Sequence, residues 1–273
     1  MPLGDFEREV LRLLASRRSP DSYVAGATVL HQRPDSPRSS EDVDIFHDEE
    51  TAVAVAAEAD LGTLQESGYT VEVGKPQPGF VRAFIRRGAQ QTKVEWVCDS
   101  AFRFFPVEPD LELGWRLNFW DAATNKLLAF AARMKLRDYL DVMYLHERHL
   151  HVGALAWAAA GKDPGMNAEW IIDWGGRQAR LKGQDASQLR LSEPIDFPAL
   201  RHRWNQAADE ALALIERLPV TERGCLYLNA DGKPICPDPA APGFARLTRH
   251  YGQVKGAWPR IVEESPTPAA TAG

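Results

Sequence analysis

An α+β fold is predicted, a mixed sheet with helices followed by a helical C-terminal domain. Three observations predict it. Five strand-type runs fall within the first 110 residues, at 22–26, 41–46, 69–73, 80–87 and 92–97. An alanine-rich helical stretch at 49–66 interrupts them. From about 116 to 218 the apolar residues recur at helical spacing instead.

Taken in order, Asp5 stands where it can cap a first helix whose apolar face is Phe6, Val10, Leu13 and Leu14. The run 22–26 is short and apolar, a buried strand that ends at Gly26. The run 41–46 alternates acids with aliphatics and reads as a second strand. Gly68 follows the alanine-rich helix, as a helix end prefers. Lys75-Pro76-Gln77-Pro78-Gly79 is a turn between the third and fourth strands. Asp121 is expected to cap the next helix, through 134, and Arg137 to open another, with Tyr139, Val142, Met143 and Leu145 inside. Helical stretches continue at 153–161, 167–181 and 196–218. The segment 224–236 reads as a hairpin turning at Asp231-Gly232. From Glu263 the chain is rich in proline, alanine and threonine, a disordered tail. The expected division is 1–115, a catalytic α+β domain; 116–218, a helical domain; 219–262, a small extension; and 263–273, the tail.

Composition narrows the function classes. A net charge of −6 argues against a broadly basic nucleic-acid binder, while leaving room for a local basic groove. Arg177, Arg180, Lys182, Arg190, Arg201 and Arg203 make the central helical region locally basic, a groove for RNA phosphates or a solvated surface. Cys98, Cys225 and Cys236 have neither zinc spacing nor a disulfide framework, and read as reduced thiols. The N-terminal residues alternate charges with apolar residues at helical spacing, unlike a signal peptide, and no run is long enough to span a bilayer. A cytoplasmic protein with no membrane partner is expected. His146, His149 and His151 are close in sequence, but on a helix 151 points away from the other two, so a metal site there is not favoured. The tryptophans are read as core residues rather than base-stacking platforms.

Chemistry concentrates around Asp42-Val43-Asp44. In a strand, residues i and i+2 share a face, so both aspartates project together while Val43 and Ile45 enter the core. Such carboxylates repel each other, and a divalent cation removes the conflict. Alone, the pair would read as solvent-facing acids. Glu95, between Val94 and Trp96 on a later strand, supplies a third acid if its strand lies alongside. Gly26 and Thr28 precede the acids, where close backbone approach and a hydroxyl suit phosphate. Lys126 and Arg133 share a helix face seven residues apart, and Arg137 follows, giving cations for a triphosphate. No nucleophile elbow, Cys–His pair or P-loop is present in the sequence.

The succession Gly26-Ala27-Thr28, Arg38-Ser39-Ser40-Glu41-Asp42-Val43-Asp44, Lys93-Val94-Glu95, Asp121 to Lys126 and Arg137 to Asp141 resembles the AbiEii/AbiGii-type nucleotidyltransferase family. That family includes the MenT toxins and belongs to the polymerase β-like nucleotidyltransferase superfamily. The resemblance covers about residues 20–150; members commonly show Gly-Gly or Gly-Ser where this chain has Gly26-Ala27. It implies transfer of a nucleotidyl group from an NTP to an acceptor hydroxyl, with release of pyrophosphate. It implies two Mg²⁺ ions, or Mn²⁺, held by Asp42, Asp44 and Glu95, and Lys126 contacting phosphate or nucleotide. Gly26, Thr28, Arg38 and Ser40 would lie along the triphosphate; Asp121, Arg137 and Asp141 would shape the nucleotide pocket. The implied partners are RNA, at the tRNA 3′ end, and a cognate antitoxin protein. Two rivals stand beside this reading: the same chemistry on a small molecule or protein side chain, and a non-catalytic nucleotide-binding regulatory module. A tRNA acceptor predicts a continuous basic groove to Asp42 and Asp44; a small molecule predicts a closed acidic pocket.

Overall fold

The computed structural model describes residues 3–32, 35–40, 42–133, 135–177, 186–187 and 189–259. The expected tail, Arg180, Lys182 and the side chain of Arg177 lie outside the described residues. Strands β1 (Ser22–Val24), β2 (Asp42–His47), β3 (Thr70–Val73), β4 (Phe80–Arg87), β5 (Gln90–Cys98), β7 (Glu108–Asp110) and β8 (Gly114–Arg116) form one sheet in the order β3-β4-β5-β2-β1-β8-β7. It is mixed: β2 runs parallel to β5 and β1 parallel to β8, and the other neighbours are antiparallel. All five expected strands are present. The two added ones, β7 and β8, are three residues long and have no fully buried residue, so no hydrophobic alternation marked them.

One face of the sheet carries Val43, Ile45, Val81, Ala83, Ile85, Val94 and Trp96. Helices α1 (Asp5–Leu14) and α3 (Glu50–Glu66) cover it, burying Phe6, Val10, Leu11, Leu14, Val53, Ala57 and Leu64. Two expectations are corrected here. Gly4, not Asp5, is the cap residue of α1, and Asp5 acts on the helix dipole from the first turn. The first strand stops at Val24, because Gly26 at φ +66° turns the chain into the short helix α2 (Gly26–Leu30).

His47, on the core side of β2, is 1% exposed and its Nε2 has no hydrogen-bond partner among the described residues. Burial, and next the charge of Arg18, push its pKa from 6.5 down to about 4. The unfolded chain therefore takes up a proton below about pH 6.5 that the folded one refuses until about pH 4, and stability falls across that window. Urea unfolding at pH 7 and 4.5 should show about 2–3 kcal/mol lost through this residue, at ~1.4 kcal/mol per unit. In His47→Leu that part of the pH dependence should be missing; an unchanged slope would refute the assignment.

The second core is helical. Helices α4 (Phe119–Arg133), α5 (Leu136–Arg148), α6 (Val152–Ala159), α7 (Ala168–Arg177) and α8 (Phe197–Arg217) pack around Phe130, Tyr139, Leu155, Trp157 and Trp204. Tyr139, Val142, Met143 and Leu145 are all buried. Asp121 does not cap α4. The helix begins two residues earlier, where Asn118 Oδ1 accepts from Trp120 N–H at 2.9 Å. Among the histidines, 149 packs on Phe119 and Tyr144, and it is 151 whose ring returns to within 4.9 Å of His146. The helix ends at Arg148, so helical spacing no longer applies; both rings accept backbone N–H groups at the start of α6. The described residues hold no helix long and apolar enough to cross a membrane.

The extension forms the expected hairpin only as a short one. The chain does turn at Asp231-Gly232, and Ile235 N–H reaches Tyr227 O at 2.9 Å. But Pro234 lacks an N–H to donate, and the partner of β9 (Cys225–Leu228) is the distant β10 (Thr248–Tyr251). β11 (Gln253–Val254) then pairs with β6 (Phe102–Arg103), and Lys255 N–H donates to Ala101 O at 2.7 Å. The C-terminal strap is thereby tied to the segment that joins the two cores. Its cysteines are free, Cys225 buried and Cys236 exposed.

Candidate active site

Because Val43 and Ile45 are buried in the core, Asp42, Asp44 and Phe46 stand on the opposite, open face of β2. The parallel register sets Glu95 directly beside Asp44, and Lys93 beside Asp42. The third acid is thus where the sequence placed it. These residues floor a cleft of about 410 Å³. Gly26, Ala27, Arg38 and Ser40 line it from the loop side, and Lys126, Arg133 and Arg137 from α4 and α5.

The three carboxylates are crowded. Burial, then the charges of Glu95 and Asp42, raise the Asp44 carboxyl from 3.8 to about 6, against the pull of Lys126 and Lys93. Protein cations meet the other two acids. Lys93 Nζ lies 3.0 Å from Asp42 and 3.1 Å from Glu95; Arg82 lies 2.6 Å from Glu95, and Arg137 3.0 Å from Asp42. Among the described residues the acids do not converge into a finished ion cage. Their fit to a hard divalent ion rests on chemistry: three oxygen-only donors on one wall, Asp44 being half-buried and crowded by Glu95 and Asp42. Arg82 and Lys93 were missed in the sequence. The available signal was strand parity, since both share the face of Glu95.

Gly26 sits against this floor. A Cβ there would fall 2.0 Å from Asp44 Oδ2, so the glycine is required by space as well as by its positive φ. Ser40 Oγ donates to the Asp42 carbonyl at 2.9 Å and holds the start of the acid strand. Thr28 does not reach the cleft; its hydroxyl is turned to the same carbonyl, 3.4 Å away.

Behind the cleft is a buried charge hub. Asp141, fully buried, takes a two-pronged hydrogen bond from Arg38, at 2.7 and 2.6 Å, and lies 3.0 Å from Lys126 Nζ and 2.8 Å from His31 Nε2. Burial pushes its carboxyl up, but Arg38, Lys126 and His31 outweigh burial and hold it well below the ordinary value. Asp138 takes Lys126 at 3.0 Å and Arg133 at 2.8 Å. Asp141 is therefore a positioning group beneath Arg38 and Lys126, not part of the cleft wall. Asp121 lies deeper still, accepting the N–H groups of Phe104 and Phe105 at 2.8 and 2.9 Å and the Lys162 ammonium at 2.7 Å. His31 was not foreseen; a lone histidine after an apolar run carries no spacing signal. A second brace comes from far along the chain. Ser39 N–H donates to Arg190 O at 3.1 Å and Ser192 N–H to Pro37 O at 2.9 Å, and Leu189 reaches the cleft.

The family model "Nucleotidyl transferase AbiEii toxin, Type IV TA system" matches residues 11–219. No curated protein sequence matches the chain. Among solved structures, MenT4, a nucleotidyltransferase toxin from Mycobacterium tuberculosis, superposes with a TM-score of 0.55 at 15% identity, over 79% of this chain and 83% of its own. JHP933 from Helicobacter pylori gives 0.51 at 18% identity, over 79% and 95%. At these identities the likeness is one of fold.

Proposed function

Because this chain belongs to the AbiEii family of nucleotidyl transferase toxins, we propose that its cleft moves a nucleotidyl group from an NTP to the 3′ hydroxyl of RNA, tRNA above all, releasing pyrophosphate. The observation that carries this reading is the cleft itself: Asp42, Asp44 and Glu95 on one wall, Lys126, Arg133 and Arg137 on the other. Asp42, Asp44 and Glu95 would hold two Mg²⁺ ions, for which Mn²⁺ substitutes. Bound there, the ions supply charge neutralisation at the reacting phosphate and activation of the acceptor oxygen. The protein's own part is positioning and electrostatics, which phosphoryl chemistry requires more than a covalent nucleophile.

Lys126, Arg133 and Arg137 face the triphosphate as positive charge, Lys126 and Arg133 oriented by Asp138 and Asp141 and Arg137 by Asp42. Gly26 and Ala27 allow phosphate oxygens close to backbone, and Ser40 and Arg38 close the loop side. Phe46, Leu117 and Ala122 provide the apolar part of the wall, suited to a base. As the family's toxin–antitoxin setting suggests, a cognate antitoxin protein is the expected partner.

The test uses purified protein, Mg²⁺, each α-labelled NTP and total tRNA, with Asp42→Ala/Asp44→Ala protein as control. Label on RNA with wild type alone is the expected result and names the nucleotide. Nucleotide binding without RNA labelling moves the assignment to a small-molecule or protein acceptor. No nucleotide binding defeats the catalytic reading. In the same assay Gly26→Ala should lose about 100-fold or more, because a displacement of about 1 Å at a reacting group has that cost. Transfer near the wild-type level would show that Asp44 tolerates the added methyl.

A further inference from the structure

The face of the sheet that carries the acids continues past them. On β4 it presents Phe80, Arg82, Phe84 and Arg86, since the intervening Val81, Ala83 and Ile85 are buried. Their register neighbours on β5 are Val97, Glu95, Lys93 and Gln91. Phe80 and Arg82 line the cleft; Phe84 and Arg86 lie beyond it, toward β3. Neither phenylalanine belongs to either hydrophobic core, although both are only half-buried. Large rings placed on a sheet face without core partners mark a surface that something covers.

The charges say what covers it. The Arg82 and Arg86 side chains are 46% and 45% exposed. Arg86 meets Glu72 at 2.9 Å, with Glu72 itself 61% exposed, a surface pair of little worth that a phosphate can displace. Arg82 stacks over Phe80, 5.2 Å from the ring centre. Rings alternating with guanidinium groups along one strand suit a single-stranded nucleic acid, whose bases stack on the rings while its phosphates meet the cations. The strip starts at Glu95 and leads outward, so an occupant's end is delivered to the acids. We infer that Phe84 and Arg86, continuing Phe80 and Arg82, seat the single-stranded 3′ end of the RNA acceptor. This inference rests on the RNA reading above, and it sets the acceptor surface on the open sheet rather than in the locally basic helical region, which the sequence left as either a groove or a solvated surface.

The experiment measures binding of a short 5′-fluorescent single-stranded RNA and, separately, of Mg²⁺–NTP, to full-length wild type, Phe84→Ala, Phe84→Trp and Arg86→Gln. The expected result is RNA affinity about tenfold or more weaker in Phe84→Ala, restored in Phe84→Trp, with NTP binding unchanged. Arg86→Gln should weaken RNA severalfold and lower the salt slope by about 0.7. If wild type binds and labels RNA and both Phe84→Ala and Arg86→Gln bind it equally well, the strip is overturned and the RNA reading stands. If wild type binds NTP but neither binds nor labels RNA, both fall together. RNA binding kept in the variants while antitoxin binding is lost would give the strip to a protein partner and overturn the inference. Arg86→Gln alters an exposed side chain, so it decides the matter even if Phe84→Ala does not fold.

Discussion

Asp44→Asn should lose at least about 10²–10³-fold in nucleotidyl transfer and yet be more stable than wild type. The two effects have one cause. With its pKa raised to about 6, Asp44 is charged at neutral pH against the preference of its surroundings. A carboxyl whose folded pKa lies above its unfolded value favours folding as pH falls through the folded value, and opposes it above. At pH 7.5 the wild type carries that cost in full. Two units correspond to about 3 kcal/mol, reduced to about 1–2 because the side chain partly faces the cleft. A melting temperature higher by about 2–6 °C is expected. The gain should shrink toward pH 5, where the aspartic acid is itself neutral. Scanning calorimetry at both pH values, with the transfer assay, checks it. Retained transfer would remove Asp44 from the chemistry, and lower stability would show the crowding to be wrongly assigned.

The second large effect is on folding. Asp141→Asn should cost about 3–5 kcal/mol, because removing one partner of a buried ion pair leaves the others uncompensated. Arg38 and Lys126 both lose a buried carboxylate partner. Lys126 retains Asp138, so the loss falls chiefly on Arg38 and the loop before the acids. Urea unfolding followed by tryptophan fluorescence measures it. Arg38→Met/Asp141→Leu, which removes charge from both sides, should recover part of the stability without recovering transfer. A loss under about 1 kcal/mol in Asp141→Asn would mean that the hub contributes little to stability.

The acid strand was legible because its signal is local. Val43 and Ile45 alternate with Asp42 and Asp44, and Val94 and Trp96 flank Glu95, so parity alone assigns each side chain to a face. The pairing of β2 with β5 was only a condition of that reading, and the register meets it. What the sequence hid is of two kinds. Asp121, Asp141 and Thr28 sit at recognisable motif positions, but a motif does not say whether a carboxylate faces a ligand or an arginine. Here burial decides, and it depends on tertiary contacts, for Asp141 with Arg38 over 100 residues away. The second kind is structure without periodicity. β7 and β8 are three-residue strands that pair across a tight turn, and β9 pairs with β10 across the loop between them. The helical half was readable because α8 buries a stripe at regular spacing, whereas Pro234 gave only a weak warning that the hairpin would stay short and β9 would pair elsewhere.

The strap formed by β11 and β6 bears on how the enzyme comes into being. Ribosomes deliver the chain N-terminus first, and residues 101–105 emerge long before 248–257, which bind them. At about 5–20 residues per second the delay is roughly 8–30 s. Through that interval the acid-bearing sheet has most of its strands, and the linker has Tyr23, Asp48 and Asp121 as partners but not yet the strap. Closing a loop of this length is entropically unfavourable, so the strap adds its bonds to the linker only after residues 248–257 have been made. The last backbone bonds at the junction of the two cores are thus made after both cores have their own residues.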